Sequence, residues 1–89
     1  MDDRAKKFED IATLLRTQRI DVRRFTSRRG VSSLRCERGG FVAFVRDSDA
    51  WITVRVGERM GYRWRDTSSP EIARLTVLMM NDAAVYKCA

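Results

Sequence analysis

Histidine is absent from this chain, which removes the commonest general base near neutral pH and the commonest metal ligand. A Ser–His–Asp triad is excluded with it. Cysteine is limited to Cys36 and Cys88, too few for a disulfide framework or a zinc site. Cys36 reads as a small core residue on a strand and Cys88 as an exposed thiol. Long apolar runs are also missing. The longest, 41–45 and 77–80, fall far short of the roughly 20 residues that a membrane-spanning helix needs. The start, Met-Asp-Asp-Arg, is polar and acidic with no apolar stretch behind it, so no secretory signal is expected. The expected location is the cytoplasm, or a host cytosol if the source is viral or phage. No phosphate-binding loop, nucleophile elbow or dinucleotide fingerprint occurs. Gly39-Gly40 reads as a turn, and Asp47 and Asp49 as carboxylates that solvate a hairpin rather than bind metal. The sequence therefore predicts a non-enzymatic protein with no metal and no cofactor.

The composition is that of a folded protein, with 44% hydrophobic and 34% charged residues. Eighty-nine residues make a single domain, 1–89, around one core. The first segment, 3–17, carries Phe8, Ile11, Ala12 and Leu15 at the i, i+3, i+4, i+7 spacing of one buried helical stripe, widened by Leu14. Asp2 or Asp3 can cap it.

From Ile20 the period drops to two. A strand over 20–27 is expected, although an arginine-rich extension of the first helix fits the same residues. Strands over 31–37, 41–46 and 51–56 follow, then a short one over 62–65, separated by Arg28-Arg29-Gly30, Arg38-Gly39-Gly40, Asp47-Ser48-Asp49 and 57–60. Connections this short make antiparallel hairpins. The strand over 41–46 is apolar on both faces, which suits a central position.

The last helix has a clear start. Ser69 is its N-cap with Pro70 at the first helical position, and Ser68 with Glu71 makes an alternative capping box. It runs to about residue 86 and carries two apolar stripes. Ile72, Leu75, Met79, Ala83 and Tyr86 form the first, and Ala73, Val77, Met80 and Ala84 the second. The fold class expected is α+β, an N-terminal helix, a four- to five-stranded antiparallel meander and a C-terminal helix, with both helices on one sheet face. The second stripe needs cover from the first helix or from another molecule. Self-association as a homodimer through Val77, Met80 and Ala84 is one expectation.

Net charge is +6, and its placement says more than its size. Residues 16–38 hold eight arginines against Asp21 and Glu37, a net of +6, so the excess sits in one block. Such a block attracts polyanions or acidic protein surfaces. The cations are mostly guanidinium, 15 arginines against three lysines, and guanidinium forks suit bidentate contact with phosphate and carboxylate. A GC-rich genome produces the same ratio but not the clustering.

If Ile52, Val54, Val56, Tyr62 and Trp64 face the helices, then Thr53, Arg55, Arg63 and Arg65 face outward. Leu34 and Cys36 pointing inward send Ser33 and Arg35 out. The binding residues expected are Arg23, Arg28, Arg29, Arg35, Arg55, Arg63 and Arg65, with Trp51 as a stacking platform. The leading functional reading is contact with nucleic acid through this arginine-rich sheet face. The alternative is an interaction module, a regulator, adaptor or phage-encoded inhibitor, that grips an acidic protein. The element order is shared with double-stranded RNA-binding domains and with small Alu-binding signal-recognition-particle subunits. The lysine-rich helix start that marks the former is here Ser68-Ser69-Pro70-Glu71-Ile72-Ala73-Arg74, and order alone assigns no family.

Overall fold

The computed structural model describes residues 3–88, and the side-chain surroundings of residues 4–84. The elements are α1 (Asp3–Arg16), β1 (Asp21–Thr26), β2 (Ser32–Arg38), β3 (Phe41–Ser48), β4 (Trp51–Val56), β5 (Arg59–Trp64) and α2 (Ser69–Cys88). The strands form one antiparallel sheet in chain order, so β1 and β5 are its edges. Both helices lie on the same face. α1 packs over β1 and β2, α2 over β3 and β4, and the helices pack on each other. No described helix is long and apolar enough to cross a membrane.

Local chemistry explains the elements. Phe8, Ile11, Ala12 and Leu15 are all buried, so the expected stripe of α1 is the one that meets the sheet. The helix ends where Arg19 turns left-handed (φ 62°) and the Ile20 amide returns to the Leu15 carbonyl. Ile20 is buried, and the chain then extends as β1, which settles 21–26 as strand rather than helix.

The turn Gly39-Gly40 needs positive φ at both positions (60° and 83°), a geometry that twists with the strands it joins and that favours glycine. Gly57, at φ 61°, opens the two-residue turn Gly57-Glu58. That turn pairs Val56 with Arg59 and so sets the parity of the whole of β5.

The core lies between the sheet and the helices. Val22, Leu34, Cys36, Ala43, Val45, Ile52, Val54 and Val56 meet Phe8, Ile11, Leu15, Ile72, Ala73 and Met80 there. Each fully buried large aliphatic or aromatic side chain among them contributes about 1.5–3 kcal/mol relative to exposure. Thr76 is also buried, and its hydroxyl donates to the Ile72 carbonyl at 2.9 Å within α2.

Two sequence expectations are corrected. First, Tyr62 and Trp64 do not face the helices. Pairing of Val54 with Gly61 and Thr53 with Tyr62 puts Gly61 beneath α2 and the two rings on the opposite side. A Cβ at position 61 would stand 3.1 Å from Met79 Sδ and 3.2 Å from Leu75 Cδ2, so the helix sits against backbone there. Arg63, and Arg65 beyond the strand, consequently fall on the helix side. Second, Met80 is 2% exposed and belongs to the core, while Val77 is half-buried against that core. The second stripe of α2 is thus covered at Met80 by the chain itself, which takes Met80 out of the surface expected for self-association, while Ala84, like Val77, is half-buried. Tyr86 and Cys88 lie outside the residues whose side chains are described.

Candidate functional site

Neither described helix packs on the other face of the sheet, and the strand register tells which side chains populate it. Neighbours across hydrogen-bonded strands share a face. One row reads Arg23, Arg35, Phe44, Arg55, Met60 from β1 to β5. The next reads Phe25, Ser33, Arg46, Thr53, Tyr62. The third, at the end of β3, β4 and β5, is Ser48, Trp51, Trp64. Arginines, hydroxyls and large apolar side chains therefore interleave over the open surface.

The apolar side chains there are unusually bare. Phe25, Phe44, Trp51, Met60, Tyr62 and Trp64 are exposed by 38–57%, and among the residues whose side chains are described the one other exposed large hydrophobic is Leu78, on α2. Scattered exposed apolar residues need no explanation, but a contiguous set on one face marks an interaction surface. Trp51 and Trp64 stack with centroids 3.8 Å apart and planes 20° from parallel. The Arg55 guanidinium lies 5.3 Å from the Phe44 ring centroid, a cation–π contact.

Charge on this face is lopsided. Its strand carboxylates are Asp21 and Glu37, opposite each other at one end. Glu37 accepts from Arg35 at 2.9 Å. Arg23 stands directly across from Arg35, a like-charge pairing that is unfavourable without an intervening anion. Among the described residues no carboxylate pairs with Arg23, Arg46 or Arg55. A groove of about 370 Å³ crosses the centre of the surface, lined by Ser27, Val31, Ser33, Phe44, Arg46, Ser48, Thr53, Arg55 and Met60, with no carboxylate in its wall. Its hydroxyls and guanidinium groups are donors placed beside an apolar floor, the combination that recognises an anionic group joined to a flat hydrophobic one.

The β1–β2 turn closes one end of this groove. Ser27 holds it by accepting the amides of Arg29 (3.2 Å) and Val31 (3.0 Å) on its hydroxyl. Arg28 and Arg29 are exposed at the tip of that turn, beside the groove mouth.

Sequence reasoning thus places Arg23, Arg35, Arg55 and Trp51 on the open face, with Arg28 and Arg29 at its margin. Arg63 and Arg65 are not part of it. Arg63 donates to the neighbouring Tyr62 carbonyl at 2.8 Å on the helix side of the edge strand. Arg65 is neutralised by Asp47 (3.5 Å) and Asp49 (3.7 Å), and Lys7 donates to its carbonyl. The 16–38 block is also divided. Arg16 and Arg24 reach Glu9 at 3.6 and 3.5 Å, and Arg38 donates to Asn81 at 2.7 Å and to the Gln18 carbonyl, all on the helix side. Arg46, Phe25, Phe44, Met60, Tyr62 and Trp64 are the face residues that the sequence reading did not select.

Cys36 is fully buried under the helices, where desolvation pushes its thiol from about 9 up to about 12, which makes it an inert core residue. No group of His, Cys, Asp and Glu among the described residues is arranged to hold a metal ion. No family model, curated protein or solved structure matches this chain.

Proposed function

We propose that the chain is a nucleic-acid-binding domain whose open sheet face makes the contact, with binding rather than catalysis as its role. One observation carries the reading. The uncovered face gathers Arg23, Arg35, Arg46 and Arg55 with six exposed large apolar side chains, while its strand carboxylates are confined to one end. Guanidinium groups position a strand through its phosphates, and rings and hydroxyls meet bases and sugars.

The test is a fluorescence-anisotropy titration of labelled oligonucleotides at low salt. Saturable binding that weakens as salt is raised supports the reading. Absence of binding at low salt, or binding indifferent to salt, overturns it.

A protein partner is the second reading, favoured by the presence of Phe44 and Met60 on either side of Arg55, since aromatic, methionine and arginine side chains are enriched in protein interfaces. A pull-down after nuclease treatment separates the two. One stoichiometric protein that persists supports the partner, and its disappearance supports nucleic acid.

A further inference from the structure

From the disposition of rings on β5 we infer that the ligand is single-stranded, lying along β4 and β5 with unpaired bases on Tyr62 and Trp64 and phosphates toward Arg46 and Arg55. This rests on the nucleic-acid reading above and narrows it to a substrate class.

Met60, Tyr62 and Trp64 are successive outward residues of one strand, so they stand about 6.7 Å apart. That repeat is twice the roughly 3.4 Å of stacked bases, so each ring takes the base of an unstacked strand. The stack on Trp51 holds the Trp64 indole in place before any ligand arrives, which lowers the ordering cost of binding. Beside the ring stripe, β4 presents Trp51, Thr53 and Arg55 outward, and β3 presents Ser48, Arg46 and Phe44. The carboxylate-free groove runs along all of these but Trp51. Donors therefore flank the stripe on its inner side, where a sugar–phosphate chain would run. β5 is an edge strand, so no described strand pairs along its outer side.

A duplex fits this surface poorly. Five strands are about 19 Å across, wider than the roughly 12 Å major groove, so the face cannot enter far enough for its rings to touch bases. A duplex would meet only the arginines, and the base faces that aromatic rings stack on stay hidden inside it.

The experiment compares a labelled deoxythymidine oligomer with a deoxyadenosine·deoxythymidine duplex of equal length, for the wild type, Tyr62→Ala and Leu78→Ala. Leu78 and Tyr62 are equally exposed, at 51% and 52%, but Leu78 lies on α2, away from the open face. The single strand is expected to bind on the order of tenfold more tightly than the duplex. Tyr62→Ala is expected to weaken single-strand binding by about tenfold, leaving duplex binding unchanged, and Leu78→Ala to leave both unchanged. Equal affinity for both oligonucleotides, or equal losses from the two substitutions, overturns the inference while the open face remains a nucleic-acid surface. If neither oligonucleotide binds, the functional reading falls and this inference with it.

Discussion

Gly61 is the position at which the orientation of β5, and hence the whole composition of the open face, can be tested by substitution. Its backbone packs under α2, where an added Cβ would meet Met79 Sδ at 3.1 Å and Leu75 Cδ2 at 3.2 Å. Both atoms lie at or next to the ends of flexible side chains, so Gly61→Ala requires only small shifts. Removing glycine also restricts the unfolded chain, which stabilises by about 0.4–1 kcal/mol where the native φ suits alanine. That φ is not in the left-handed region here. Gly61→Ala should therefore change stability by less than about 1 kcal/mol. Gly61→Val adds two further methyl groups against the same neighbours, and overpacking of this kind costs about 1–3 kcal/mol. After the entropic offset the net loss is about 1–2 kcal/mol, which for a domain of this size lowers Tm by roughly 5–15 °C. Urea and thermal unfolding followed by circular dichroism measure it. Combining Gly61→Val with Met79→Ala should cost less than the sum of the two single changes, because shortening Met79 makes the room the valine needs. Tyr62→Ala, on the exposed side, should cost less than about 1 kcal/mol. The reverse result, a neutral Gly61→Val with Tyr62→Ala costing the roughly 3–5 kcal/mol of a buried ring, would mean that the rings lie under the helices and would refute the register.

Three further outcomes follow from the same structure. Below about pH 9 the Cys36 thiol is protonated in both folded and unfolded chains, but above it the unfolded chain releases its proton while the folded one holds it to about 12. Stability should therefore fall as pH rises through that window, by up to about 1.4 kcal/mol per unit from this group, and the urea midpoint of Cys36→Ala should fall less than that of the wild type. Met80→Asp should unfold the protein rather than dissociate an oligomer, since it buries a carboxylate at a core position and costs more than about 3 kcal/mol; a folded, monomeric variant of a dimeric wild type would contradict this. Single-strand binding should lose affinity with a log–log salt slope of about −1 to −2, the value for two guanidinium–phosphate contacts from Arg46 and Arg55; a slope near zero would exclude them.

Much of the architecture was legible in the residues because the signals there are local. The spacing of Phe8, Ile11, Ala12 and Leu15 defines the buried face of α1, and Ser69-Pro70 the start of α2. Leu34, Cys36, Ile52, Val54 and Val56 all point to the core as alternation requires. The orientation of β5 was not read correctly, for a specific reason. Treating 57–60 as a four-residue loop discards the register, and hydropathy then sends Tyr62 and Trp64 inward. Counting across a two-residue Gly57-Glu58 turn from Val56 puts Arg59, Gly61 and Arg63 on the inner face, and the glycine among them is the signal that a helix lies close. The arginine block misled in a related way. Nearness in sequence is not nearness on a sheet, and alternation sends Arg23 and Arg35 to one face but Arg24 and Arg38 to the other. Arg46 went unselected because its value lies in its cross-strand neighbours, Ser33 and Thr53, which no window of sequence displays.

The claim on which the functional account depends is that the open face, and not the helix side of the sheet, holds the ligand. Charge reversal at Arg46→Glu and Arg55→Glu together, compared with Arg63→Glu on the other side, tests it by oligonucleotide anisotropy at low salt on variants with unchanged melting temperature. The double variant should lose at least about a hundredfold in affinity and Arg63→Glu less than about threefold. Undiminished binding by the double variant, or an equal loss from Arg63→Glu, would contradict the account.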